Sequence, residues 1–341
     1  MRIIETSSLH TGMIIGIDVK EDNQVILPKG VVLTEDKIQQ LSSLLGSNKR
    51  VWIYDLAELK PLLLRDSNLA RSYINFLVSQ LEQIFNTDLY DTFAFNDLVN
   101  TLNRYLFTNR NLLYELIVLR NNHCYTYEHS MNVALYSLII GLNEELTTHE
   151  LQILVLGCAL HDLGKRNISN TILDKPSKLT ATEFKAIQQH PLYGVELSHN
   201  LSCVDNRVEK IILQHHEKLD GSGYPYGLGY NKINHLSRIA AVADMFDAIS
   251  SKRVYHNNRS IPDSVDILDG DVARGKIAKD EVDNLVKGLV MYPINTMVLL
   301  NNNQTGFVIA NCNSRTPMIL GNNNVTYDLS VDKGLAIEKV L

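Results

Sequence analysis

Between residues 121 and 290 the chain reads as a series of helices, and its central ones, VALYSLIIGL and LQILVLGCAL, are apolar nearly all round. Helices of that kind are buried. The stripes that should face the core nevertheless end in histidine and aspartate. Val208, Ile211 and Ile212 set one stripe, whose next turn at i+7 and i+8 falls on His215 and His216. Leu236, Ile239, Ala240 and Ala243 lead to Asp244, with Asp247 a turn further on, and Leu154, Gly157 and Cys158 lead to His161 and Asp162. Burying a carboxylate without a partner costs several kcal/mol or more, so these faces must meet something that compensates them.

A shared cation is the economical partner, because imidazole suits iron, zinc, manganese or copper and a carboxylate can bridge two ions. His129 taken singly is better read as a core histidine bonded to a carbonyl, and the isolated pair His161-Asp162 is also weak. The combination of His161-Asp162-x-Gly164-Lys165, His215-His216-Glu217 and Asp244 favours metal. His10, His123, His149, His199, His235 and His256 are assigned no ligand role. Directly after His216, Glu217 to Pro225 packs Asp-Gly, a second glycine and Tyr-Pro into one stretch that forces turns. Next to two candidate ligands it reads as a wall of the site, where Gly223 lets backbone approach a substrate and Tyr224 offers a ring face or a hydroxyl.

Around this region the pattern changes. Residues 1 to 60 read as a small mixed α/β unit. Apolar runs lie at Met13 to Ile17 and Val25 to Leu27, a helix runs from Thr34 to Gly46, and VWIYD at 51 to 55 is a closing strand. Residues 61 to 120 read as a helical connector, 121 to 290 as a helix-rich main domain, and 291 to 341 as a β-rich appendage of short strands and asparagine-rich turns. The fold class expected is therefore mainly α, an all-helical domain flanked by a small α/β unit and a small β-rich one. A formal net charge of -6 with 21% charged residues supplies no basic field for a long nucleic acid. The cysteines, Cys124, Cys158, Cys203 and Cys312, are scattered without short pairing, which suits a reducing compartment. With no signal-peptide pattern and no long apolar span, a cytoplasmic location and no membrane partner are expected.

The segment from His129 to about Arg253 resembles the HD-GYP subgroup of the HD phosphohydrolase superfamily. The motifs in order are HS at 129–130, HDLGK at 161–165, HP at 190–191, HHEKLDGSGYP at 215–225 and VADMFDAISSKR at 242–253. The opening residues resemble a small domain often placed before such domains. The resemblance implies that His129, His161, Asp162 and Asp244 hold one metal, and that His190, His215 and His216 hold a second with Asp162 bridging. Lys165 and Arg253 would contact substrate phosphate, and Gly223, Tyr224 and Pro225 would form the signature loop. It further implies two divalent ions, iron or manganese foremost, and a cyclic dinucleotide substrate. Cyclic di-GMP would be hydrolysed by a hydroxide between the ions to pGpG, with further cleavage to GMP and a mixed guanine-adenine cyclic dinucleotide both left open, and with Asp162 and Lys165 as the catalytic residues.

Two departures stand out. Members with a third metal carry glutamate four residues before the first ligand histidine, where this chain has Tyr125, and a second basic residue follows the arginine where this chain has His256. The competing expectations are a binding scaffold that takes up nucleotide but turns it over poorly, and a hydrolase of nucleoside phosphates, which leaves the Gly223-Tyr224-Pro225 loop unexplained. The sequence leaves the oligomeric state open, a homodimer included.

Overall fold

The computed structural model describes residues 2–10, 13–21, 24–54, 125–199, 201, 204–251, 260–312 and 315–341. The chain divides into two compact units, Met1–His123 and Cys124–Leu341.

In the first unit, β1 (Arg2–Glu5) pairs antiparallel with β4 (Arg50–Ile53), and β2 (Val19–Glu21) with β3 (Gln24–Leu27). Helix α1 (Glu35–Leu45) begins and ends where its acidic first turn and Gly46 imply. The run Met13 to Ile17 forms isolated bridges, Ile14 to Val32 and Ile15 to Ile53, because its side chains serve the core. Ile15, Leu33, Leu41 and Ile53 are buried there almost completely.

The second unit is mainly α. Its described helices are α2 (Tyr125–Asn143), α3 (Thr148–Leu160), α4 (Asn170–Leu173), α5 (Ala181–Ile187), α6 (His190–Ser198), α7 (Asn206–Gln214), α8 (His235–Ser250), α9 (Ile261–Ala273) and α10 (Lys279–Lys287). Side-chain caps fix where several begin. Thr147 and Thr180 form capping boxes with Glu150 and Glu183, and Asp205, Asn234 and Ser260 accept the first free amides of α7, α8 and α9. Helix α2 packs on α3, α8 and α10, while α7 packs on α3, α6 and α8. Leu154, Ile211, Ile212, Ile239 and Val265 are fully enclosed, and each contributes about 1.5–3 kcal/mol by burial. No described helix is long and apolar enough to cross a membrane.

The same unit ends in a five-stranded antiparallel sheet, ordered β8-β7-β6-β5-β9, from β5 (Met297–Leu300), β6 (Thr305–Asn311), β7 (Pro317–Gly321), β8 (Thr326–Asp328) and β9 (Ile337–Val340). The period of two is visible in β5, β6 and β7, where Val298, Leu300, Val308 and Ile319 are wholly buried while Met297, Phe307 and Leu320 stay exposed.

One contact couples the fold to the polar residues of the core. The chain leaves α3 through a 3₁₀ turn, Leu163–Asn167, that lies against α6. A Cβ on Gly164 would stand 1.9 Å from the carbonyl oxygen of His190 and 2.4 Å from the amide nitrogen of Gly194, so only glycine permits this approach. Gly164→Ala is expected to destabilise the protein by about 1–3 kcal/mol or more, read as a lower urea midpoint. An unchanged midpoint would show that the backbones are not held so close.

Candidate metal centre

Three helix ends deliver the histidines. His161 closes α3, His190 follows α5 and opens α6, and His215 closes α7 with His216 next in sequence. The last carbonyls of a helix lack intrahelical partners, and here three of them take imidazoles. His161 Nδ1 donates to Cys158 O (2.6 Å), His190 Nδ1 to Ile187 O (2.8 Å) and His215 Nδ1 to Ile212 O (2.8 Å). A carbonyl can only accept, so each Nδ1 carries its proton and each Nε2 is left with the lone pair that binds metal. His129, on α2, is oriented by a carboxylate instead: its Nδ1 lies 2.8 Å from Asp247 Oδ2.

These nitrogens converge on Asp162, which is almost fully buried just past α3. Its Oδ2 lies 3.3 Å from His161 Nε2 and 3.6 Å from His129 Nε2, and its Oδ1 lies 3.4 Å from His190 Nε2. The ligand atoms fall into two groups that share this aspartate, His129-His161-Asp162 and Asp162-His190-His215-His216. Asp244, on α8, stands beside both, 3.1 Å from His129 Nε2 and 3.6 Å from His216 Nδ1. Five histidines and two aspartates singled out in the sequence thus meet in space.

The group has the marks of a cation cage. His161 Nε2 and Asp162 Oδ1 are buried without hydrogen-bond partners. His190 Nε2 and His215 Nε2, both lone-pair nitrogens, face each other at 3.2 Å. Divalent metal satisfies both features, and the donor set of imidazole and carboxylate fits it. Burial, and then neighbouring imidazoles, hold His215 well below the ordinary histidine range, and burial also lowers His190 and takes His216 to about 3. These rings are neutral at pH 7, the form that ligates. Burial would raise Asp162, but Lys165, His161 and His190 outweigh it and hold the carboxyl well below its usual range. Burial likewise opposes the charge on Asp244, and His129 and His216 outweigh it. For His129 burial disfavours the imidazolium, yet hydrogen bonds and charge from Asp244 and Asp247 raise it to about 10.

Lys165, 31% exposed, sits at the rim with Nζ 2.5 Å from Asp162 Oδ2. The loop after His216 forms a wall. The Tyr224 ring lies 4.6 Å from that of His216, centroid to centroid, and burial raises its phenol, which stays neutral. A Cβ on Gly223 would come within 2.5 Å of Glu217 Cα and His216 O, so this glycine answers to a close backbone approach. Arg253 and His256 lie outside the described residues, as do Cys124, Cys203 and His123, and nothing is described of the Tyr125 side chain.

Two further acids of this region position its parts. Glu217 is buried and accepts the amides of Tyr226 and Leu228 at 2.8 Å each, pinning the loop. The signal was available, since an acid between ligand histidines and a glycine-rich turn can bind the free amides of that turn. Asp247 had been placed on the inward stripe of α8 without a task, and it orients His129, with Ser251 Oγ donating to its other oxygen at 3.0 Å.

A metal held by His129 Nε2 would have to expel the His129 proton, which at pH 8 is still bound because the raised pKa lies above that pH. Calorimetry at pH 8 in buffers of different ionisation enthalpy should show about one proton fewer released on metal binding by His129→Ala than by the parent. Equal proton release by the two proteins would contradict this placement.

Residues 111–277 match the model of the HD domain family. The chain is 33% identical over 221 residues to the cyclic di-GMP phosphodiesterase PA4108 of Pseudomonas aeruginosa, a match covering 64% of this chain and 52% of that protein. It is 37% identical over 145 residues to 3'3'-cGAMP-specific phosphodiesterase 3 of Vibrio cholerae, covering 42% and 31%. It is also 45% identical over 120 residues to the cyclic di-GMP phosphodiesterase response regulator RpfG of Xanthomonas campestris, covering 34% and 30%. The matches thus span about half or less of these relatives' lengths. The fold is like that of Bd1817, a HDG"Y"P protein from Bdellovibrio bacteriovorus, with a TM-score of 0.56 at 19% identity, over 83% of this chain and 97% of that one. Residues 111–277 therefore form an HD domain, and the motifs within them resemble those of the HD-GYP proteins.

Proposed function

We propose that this protein hydrolyses a cyclic dinucleotide, cyclic di-GMP foremost, to linear pGpG and onward to GMP, at a centre of two divalent ions. The observation that carries the reading is the sharing of Asp162, whose two oxygens face different histidine groups. His129, His161, Asp162 and Asp244 would hold one ion, and His190, His215 and His216 the other, with Asp162 common to both. Iron and manganese suit this mixture of imidazole and carboxylate. Such a pair lowers the pKa of a water toward neutrality and offsets charge on the attacking and leaving oxygens of a phosphodiester displacement. The names of the relatives, which specify cyclic di-GMP or 3'3'-cGAMP, support this substrate class.

The chain's own groups supply the rest. Lys165 can turn its ammonium from Asp162 to a phosphoryl oxygen and offset the charge that grows there. Tyr224, neutral and stacked on His216, offers a hydroxyl donor and a ring face to the nucleotide, on a loop that Glu217 holds in place. Gly223 and Pro225 flank it, and Arg253 is assigned a phosphate contact from its motif. This catalytic role belongs to residues 121–290, with 1–60 regulatory, 61–120 a connector and 291–341 an appendage. A cytoplasmic setting is part of the proposal, in keeping with the free thiols of Cys158 and Cys312.

Metal-loaded protein is to be incubated with cyclic di-GMP and with 3'3'-cGAMP and the products separated by chromatography. Asp162→Ala should abolish turnover and lower metal content. Lys165→Ala should keep its metal and lose about 10²–10³-fold in kcat. Full activity in Asp162→Ala would end the assignment, and binding of both nucleotides without turnover would make the protein a nucleotide-dependent scaffold.

A further inference from the structure

A second group of ligating side chains lies at the other ends of α2 and α8. Glu144, one residue beyond α2, is about 20 Å along the helix from His129 at 1.5 Å per residue. His235 is the first residue of α8, and Glu281 lies in the first turn of α10. One ligand atom from each of the three falls within 4.8 Å of the others.

The partners of these side chains are unbalanced. His235 Nε2 lies 2.8 Å from Glu144 Oε2, whose other oxygen accepts Asn284 Nδ2 at 3.3 Å. Glu281 Oε1 accepts Arg238 Nε at 2.9 Å, but its Oε2 is buried with no partner although the side chain is only 3% exposed. An unsatisfied buried carboxylate oxygen is costly, and this one belongs to a side chain grouped with a second carboxylate and an imidazole. Of the cations lining the surrounding cleft, about 770 Å³ in volume, Arg238 holds one oxygen of Glu281 and two others have partners outside the trio. Arg238 is bonded to Glu281, Arg315 to Asp269, and Lys287 to Asn284. What remains without a partner is one carboxylate oxygen, Glu281 Oε2. His235 is 45% exposed toward solvent, so an ion has a route in and water can complete its shell.

We propose that Glu144, His235 and Glu281 form a separate cation site for a divalent ion of the zinc class, with one imidazole nitrogen and two carboxylate oxygens as ligands. The ion joins the end of α2 to the starts of α8 and α10. Since α2 carries His129 and α8 carries Asp244 and Asp247, the site ties together the far ends of two helices that build the catalytic cage. It requires neither hydrolysis nor a particular metal count at that cage.

The test is zinc content of the full chain after equilibration with zinc buffered at micromolar free concentration and gel filtration. His235→Ala should hold one equivalent fewer than the parent, with an unchanged thermal midpoint in chelator and unchanged hydrolysis. Glu281→Gln should lose the same equivalent. Adding His235→Ala to Asp162→Ala should remove one more ion than Asp162→Ala alone, which separates this site from the His/Asp cage. A zinc count in His235→Ala equal to the parent's, in either background, overturns the proposal and leaves Glu144-His235 an ordinary ion pair.

Discussion

Asp162 is an anion taken out of water at the point where the helices α2, α3, α6 and α7 meet, and the arrangement of the core follows from what that demands. A carboxylate so placed must be compensated by several groups at once. Lys165 reaches it from the rim and the charged ring of His129 from within, while the lone-pair nitrogens of His161 and His190 face it and favour a cation between. Removing water here lets a small number of charges set the protonation of all the others. The same group of side chains keeps a neutral ring on His215 and a charged one on His129. The difference comes from neighbours, since His129 contacts the carboxylates of Asp244 and Asp247 while His215 stands among other imidazoles.

Much of the helical domain was legible because burial imposes periodicity. The stripes of α3, α7 and α8 point at His161, His215 and Asp244, and those residues are found in the core. The helices stop just short of the ligands, so His161 and His215 occupy closing positions that a count of i+7 reaches only by extension. His129 could not be assigned by pattern alone, because its role depends on Asp247, 118 positions away. His235 carries no sequence signal for the same reason, since Glu144, just past α2, and Glu281, on α10, are distant from it in sequence. The motif order supplied what periodicity could not, bringing in His129 and His190.

The two smaller units show the other limit. Apolar runs mark β3, β5, β6 and β7, whereas β1 and β8 are short edge strands with little buried side chain and so carry no alternation to read. In the first unit Met13 to Ile17 looks like a strand by hydrophobicity, yet it makes only single bridges while filling the core. Hydrophobicity there records burial, with pairing limited to isolated bridges and a few backbone hydrogen bonds to residues 30–33 and 52–54.

The ties from His161, His190 and His215 each run to the carbonyl three residues back. In that arrangement the geometry of a helix terminus is itself the aiming device, with no dedicated loop to hold the ring. The motif is therefore portable. A histidine set just past the last turn of any rigid helix would arrive with its tautomer chosen and its free nitrogen directed outward, a simple module for installing metal sites in unrelated scaffolds.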